Sequence, residues 1–383
     1  MTLDPANRWV NTAARLAREV LACHADDVDR NGRWPAEAVT ALRQSGLLGL
    51  CVPSNLDGAG EGPPTFASVT SVLAEHCAST AMIFLMHTCA TQVVVAAQAF
   101  PLRDTFLRSV AAGRNLSTLA LSEKGSRSHF WAPVSQVTHV GDWHELAAEK
   151  SFVTSAGQAD SYIASTRSAN AVAPTDSTLY YLPGDVPGLE VSGSWNGLGL
   201  RGNASAPVNL QKVRVPVSHR ISGAGEAFPL MMSALLPWFQ LGSAAVSVGI
   251  ARAATQSIRQ HLLAANLEHL GQPLAALLNL RLRLAKMQIA LDTQQAFLGH
   301  VAGEMETPGP GTLLAVLESK AAAAEAALEI TDLAMRIGGG ACFGRRLTVE
   351  RNFRDARASS IMAPTTDVLH DFIAKTLLDM PLF

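Results

Sequence analysis

The stretch MRIGGGACFGRRLTVERNFRDARASSIMAPTTDVLHDFIAK, Met335–Lys375, decides how this chain is read. Its glycine run, Gly338–Gly340, closes a helical pattern as a C-cap. The same glycines let another backbone or a ligand come close, because glycine has no Cβ. Arg354-Asp355 follows and reads as a structural ion pair. Pro364-Thr365-Thr366 then makes a turn that opens a last amphipathic helix over Thr365–Leu378.

Working outward, the chain before this stretch is helical over Leu230–Leu267, Leu274–Gly303 and Thr312–Ile337, with Glu304–Gly311 as a linker. Upstream of Glu226 the period changes to short β-rich runs. These are Ser117–Leu121, Ser151–Thr154, Ser161–Ser165, Thr178–Leu182 and Pro207–Val215, the last with a bulge expected at Gln211-Lys212. Before Arg114 the pattern is helical again: Val10–Val28, a helix opened by Trp34-Pro35 and capped near Gly46, and two long helices over Thr65–Ala112. The expected division is a helical domain over 1–114, a β-domain over 115–225 and a helical bundle over 226–383.

At 383 residues the chain is too long for one core. It is 48% hydrophobic and 16% charged with net charge −2, which gives no electrostatic case for nucleic acid or an anionic membrane. Apolar stretches such as Ala81–Met86 fall short of the ~18–20 residues a membrane span needs. The start, MTLDPANRWVNTAARLAREV, lacks a secretory pattern. Five scattered cysteines without CxxC spacing read as reduced thiols in a cytoplasmic protein. The neighbours His76-Cys77 and Cys23-His24 face apart on a helix, so no metal site is expected.

The order of segments and the closing stretch resemble the acyl-CoA dehydrogenases over nearly the whole chain. The resemblance implies an α+β multidomain fold: an N-terminal all-α domain, a middle β-barrel-like domain and a C-terminal four-helix bundle. It also implies a bound flavin. LALSEKGSRSHF at Leu119–Phe130 is similar to the family's TEPxxGSD loop, and EKSFVTSAGQAD at Glu149–Asp160 to its KxWITNGxxAD strand. LGLRGNASAPV at Leu198–Val208 follows as in the family. The resemblance therefore places Leu121, Ser122, Ser128, Phe152 and Thr154 beside the flavin ring, as hydroxyls, amides and one aromatic face. Around the rest of the cofactor it places Gly339, Gly340, Thr365 and Asp367.

The chain departs from the family at two places. Relatives carry RxxFG on a bundle helix, whose Arg meets the flavin pyrophosphate of a neighbouring subunit; here the stretch is LEHLG, Leu267–Gly271. Two family glutamine positions fall on Leu278 and Arg336. Arg336 and His269 remain as cations for a phosphate. FAD is the expected cofactor and FMN the alternative. The family's catalytic turn, Tyr-Glu-Gly-Thr, falls on Met362, Ala363, Pro364 and Thr365, and alanine cannot accept the substrate α-proton. The second family position for that Glu lies near Ala234–Gly242, and no Asp or Glu occurs between Glu226 and Glu268.

Trp238 and Phe239, with Ala363, are read as lining an apolar substrate pocket. VLHDFIAK resembles the LHDPxAYK segment of reduced-flavin monooxygenases of the same fold, such as dibenzothiophene monooxygenase. Those enzymes also carry an active-site histidine in the segment matching FLMHTCA. His370 and His87 are therefore the catalytic candidates, each able to move a proton near neutral pH. Three readings stand: a flavin-dependent oxidoreductase that is not an ordinary Glu-dependent dehydrogenase, a reduced-flavin monooxygenase on a small apolar or heteroatom substrate, and a silent binding protein. The resemblance implies a homotetramer, served by an electron-transfer flavoprotein or a flavin reductase.

Overall fold

The structure, a computed structural model, describes residues 7–127 and 129–383. Six helices come first: α1 (Arg8–Leu16), α2 (Ala22–Asn31), α3 (Ala36–Gln44), α4 (Pro63–His76), α5 (Ala78–Ala96) and α6 (Arg103–Ala111). A π turn, Ala17–Leu21, joins the first two. Asn7 caps α1 by accepting from the Trp9 and Val10 amides. Gly46 ends the α3 region at φ +78°, which glycine adopts without a Cβ penalty. The two helices expected over Thr65–Ala112 are three, because Cys77 is extended (φ −150°, ψ 100°) and the chain turns again before Arg103.

Seven strands follow: β1 (Ser117–Ala120), β2 (Thr138–Val140), β3 (Trp143–Val153), β4 (Ser161–Arg167), β5 (Ser177–Pro183), β6 (Leu189–Val191) and β7 (Ala206–Pro216). They form two sheets, ordered β1-β4-β5 and β2-β3-β7-β6. Leu146, Val208 and Val213 from one sheet and Tyr162, Tyr180 and Leu182 from the other fill the space between them. The run expected at Ser151–Thr154 is only the end of β3, whose first half alternates buried and exposed residues and carries charge. The bulge expected at Gln211-Lys212 is present: those two residues face Ala147 alone, between the pairs Leu146–Val213 and Ala148–Leu210.

The bundle consists of α7 (Ala227–Leu230), α8 (Leu236–Ala264), α9 (Leu278–Glu304), α10 (Thr312–Gly338), α11 (Gly340–Phe343), α12 (Val349–Ile361) and α13 (Thr366–Leu377). A π turn, Met231–Leu235, precedes Pro237, so the missing proline N–H falls where the helix is re-registering. α8 is the central element, packed against α4, α5, α9, α10 and α12. Its approach to α4 depends on Gly249, where an added Cβ would lie 2.4 Å from the Ser71 carbonyl oxygen.

Two helical stretches, Ala78–Ala96 and Ala227–Ala264, are long and apolar enough to pass for membrane spans, more than the sequence reading allowed. In each, 89% of the apolar window is buried inside the molecule, which accounts for its composition. Of the five cysteines, Cys51, Cys77, Cys89 and Cys342 are buried and Cys23 is exposed, and none is in a disulfide. No cluster of three metal-ligating side chains occurs among the described residues.

Candidate active site

The site is a cavity of about 630 Å³ where β1, β3, α5, α8 and α12 meet. Its lining is mostly apolar: Met82, Met86, Leu119, Leu121, Phe130, Phe152, Trp195, Leu235, Phe239, Ile361, Met362 and Ala363 among others.

A defect in β3 aims its most prominent side chain. The ladder shifts between Lys150–Val208 and Val153–Ala206, leaving Ser151 and Phe152 opposite one residue. Phe152 sits there at φ +54°, an uncommon and costly conformation for an aromatic residue, and its side chain is 70% exposed into the cavity. Trp195 meets its ring edge-on at 6.5 Å. Backbone strain retained at such a place marks a working surface.

One edge of the cavity is polar. The hydroxyls of Thr154 and Ser205 are 3.0 Å apart, and both residues line the space. Asn203, 2% exposed, contributes a side-chain oxygen with no protein partner. Among the described residues, the one acid in the lining, Glu123, is already committed. Its carboxylate takes the Lys150 ammonium at 2.6 Å, the Ser135 hydroxyl at 2.5 Å, and the Val134 and Ser135 amides at 2.7 Å. Burial alone would raise its pKa, but the Lys150 charge and these donors hold it below the ordinary value.

The structure brings Leu121, Ser122, Phe152, Thr154, Phe239 and Ala363 into this one cavity. Ser128 lies outside the described residues. The other expected residues lie elsewhere. Trp238 is not in the lining; it packs on Phe66 at 5.2 Å between ring centres. His87 is fully buried beside the cavity and fully used: Ser117 N–H donates to its Nδ1 and its Nε2 lies 3.0 Å from the Leu48 carbonyl, each at 3.0 Å. Burial pulls its pKa down to about 4, so it is a neutral packing residue here and not a free acid. His370 is on the outer face of α13, 52% exposed and 3.4 Å from Glu325.

Thr365 caps α13 by accepting from Val368 N–H, and Asp367 is exposed in the first turn. Arg336 is 63% exposed and paired with Asp332 at 2.8 Å. His269 is exposed on a short turn, while Gly339 (φ +50°) and Gly340 have open space around them. None of these residues is among those that line the cavity. The Arg354-Asp355 pair is corrected as well. Arg354 binds Asp29 at 2.5 Å and Glu350 at 2.8 Å, whereas Asp355 accepts the Leu200 amide at 2.7 Å.

Sequence reasoning missed Lys320. It is fully buried on α10, and its ammonium donates to the Met362 carbonyl at 2.9 Å and the Pro364 carbonyl at 2.5 Å. Those carbonyls flank Ala363. The ammonium also lies 5.8 Å from the centre of the Phe239 ring. A lysine inside an alanine-rich helical run reads as solvated, and only the packing of α13 and its entry turn over α10 shows otherwise.

Three family domains match the chain: acyl-CoA dehydrogenase N-terminal domain over residues 6–114, middle domain over 118–213 and C-terminal domain over 225–378. The chain therefore belongs to the acyl-CoA dehydrogenase superfamily, and it is a flavin-dependent oxidoreductase of that kind. It is 27% identical over 96% of its length, and 88% of the relative's, to the bovine (Bos taurus) mitochondrial short-chain specific acyl-CoA dehydrogenase. It is also 27% identical to 3-sulfinopropanoyl-CoA desulfinase of Paraburkholderia xenovorans (strain LB400), covering 99% of this chain and 97% of the other. Among solved structures, FMN-bound TdsC from Paenibacillus sp. A11-2 superposes with a TM-score of 0.89 at 20% identity, covering 98% and 99% of the two chains.

The cavity fits the cofactor this family carries. A flat heteroaromatic ring with one polar edge matches an aromatic, apolar lining with Thr154, Ser205 and the unpartnered Asn203 oxygen on one side. Phe152 supplies the face against which such a ring would stack.

Proposed function

We propose that this protein is a flavin-dependent oxidoreductase whose reaction does not begin with removal of an α-proton by a carboxylate. One observation carries this reading. Ala363 stands in the cavity wall, and the single acid in the lining among the described residues, Glu123, is bound to Lys150. A positioned base contributes ~10²–10⁴-fold, and no residue of this cavity is free to supply that contribution as a carboxylate. The flavin would take or give electrons; Phe152, Thr154, Ser205 and Asn203 would hold and orient it, while Phe239, Met362 and Ala363 keep the substrate side dry.

Mixing the flavin-loaded protein anaerobically with straight-chain acyl-CoA thioesters tests the reading. The expected result is flavin absorbance that persists over minutes. Rapid bleaching would overturn it.

A second reading, a monooxygenase fed with reduced flavin, is favoured by the apolar wall of Phe239, Met362 and Ala363, which suits a compact ring or heteroatom compound; Lys124, Arg127, Arg354 and Arg357 also line the cavity and leave room for an anionic group. Product formed from such a compound with reduced flavin and oxygen would decide for it. The proposal includes FAD as cofactor with FMN as the alternative, a homotetramer, and a flavin reductase or an electron-transferring flavoprotein as redox partner.

A further inference from the structure

The described residues include two fully buried lysines, and they are treated in opposite ways. Lys150 has a carboxylate at 2.6 Å. Lys320 has only two peptide carbonyls and an aromatic face. Its surroundings offer no counter-charge among the described residues. α8 carries no Asp or Glu between Glu226 and Glu268. On α10, Glu318 is half-buried, Glu325 lies beside His370, Glu329 is exposed and Asp332 pairs with Arg336. On α12, Glu350 holds Arg354 and Asp355 is taken up by the Leu200 amide; on α13, Asp367 is exposed and Asp371 pairs with Lys375, and none of these acids is bonded to Lys320. An ammonium without a partner is expensive to bury, and a fold that keeps one gains something elsewhere. The carbonyls it holds belong to the turn that forms the cavity wall, and Phe239, 5.8 Å away, is another part of that wall.

We propose that Lys320 is an electrostatic tuning residue, holding positive charge one side chain behind the wall at Met362–Pro364 and Phe239 so that the cavity favours a flavin, or flavin-bound substrate, in its more negative state. The inference rests on the flavin reading above. Burial pulls the pKa of this lysine down to about 7, so a negative neighbour would secure the proton it otherwise holds loosely. At an effective dielectric of about 20, a single charge within about 10 Å changes the balance between neutral and anionic ligand by roughly tenfold or more.

The test is the affinity for oxidised and for chemically reduced FAD and FMN, measured anaerobically on wild type, Lys320→Gln and Lys320→Met. Glutamine keeps an amide donor for the turn and loses the charge; methionine loses both. The expected result is a preference for reduced over oxidised flavin that falls at least tenfold in both variants, while oxidised-flavin affinity changes less than threefold. A purely structural clamp would weaken both states equally and leave the ratio alone, which would overturn the proposal. A ratio lost only in Lys320→Met would also overturn it, by showing that the donors and not the charge matter. Failure of both variants to fold would do the same, since packing would then explain the residue. Wild-type protein that takes up neither flavin sinks the flavin reading and this inference together, whereas binding with an unchanged ratio sinks this inference alone.

Discussion

Phe152 shows how one residue can be held against its own preference. A left-handed aromatic residue costs about 1–3 kcal/mol, and the β3 bulge imposes that conformation to turn the ring into the cavity. Phe152→Gly is therefore expected to leave the fold as stable as wild type, or more so, while flavin affinity falls about tenfold or more through loss of the stacked face. Thermal melting and flavin titration on one preparation check both halves. His87 is the opposite case: a polar residue with a purely internal task. Its folded pKa, lowered to about 4 from 6.5, means the unfolded chain binds the extra proton first. Its contribution to stability is thus complete above pH 6.5 and is lost as pH falls toward 4. His87→Phe should cost about 1–3 kcal/mol at pH 7 by stranding the Ser117 amide and Leu48 carbonyl. It should also remove the protonation penalty below pH 6, seen in urea melts across that range.

These residues also mark what could be read from sequence. Ala363 and Phe239 were legible through the family resemblance, which aligned their stretches with its catalytic turn and a bundle helix, though the same reading put Trp238 in the lining too. His87 and His370 were not, because a histidine's role depends on which carbonyls and acids reach it through space. Lys320 gave no signal at all, since a charge in a helix is distinguished from a surface charge only by what packs over it.

At the scale of elements, α12 ties the bundle to the loop that leads into β7, through Asp355 to Leu200 and Arg354 to Leu198. Asp355 on this helix is buried and caps the Leu200 amide. Burial pushes its carboxyl up to about 6, against the pull of the Leu200 N–H and Arg351. Here the folded state binds the proton more tightly, so stability falls as pH rises from 3.8 to 6, and the cost persists above that window. Asp355→Asn keeps an acceptor for Leu200 and removes the charge. It should stabilise the protein by about 1–3 kcal/mol at pH 7 and by almost nothing at pH 4, measured by chemical denaturation at both values. The helices were legible from their period, and β3 only in part, because its outer half mixes charge with alternation. The division of Thr65–Ala112 into three helices depends on the single extended residue Cys77, which no strong breaker announces.

At the scale of the molecule, much apolar surface is left outside. Leu278, Leu282 and Ile289 on α9 are 62%, 57% and 67% exposed, at spacings of four and seven that put them on one face. A stripe of this kind marks a contact surface, and closed symmetric assembly is the common way to cover one. Light scattering at micromolar concentration should give a mass above that of one chain, and Leu282→Glu with Ile289→Glu should lower it. Wild-type protein that stays monomeric would refute this.

The distribution of thiols has a practical consequence. Burial raises the pKa of Cys51, Cys77, Cys89 and Cys342, which leaves them inert as nucleophiles, while Cys23 stands exposed on α2. The native protein thus carries a built-in attachment point. A maleimide dye at pH 7 should add at one position on the folded chain and at five after denaturation, as intact mass would count. Cys23 is not among the residues that line the cavity, so a fluorophore placed there would report flavin uptake through energy transfer without entering the pocket whose occupancy it measures.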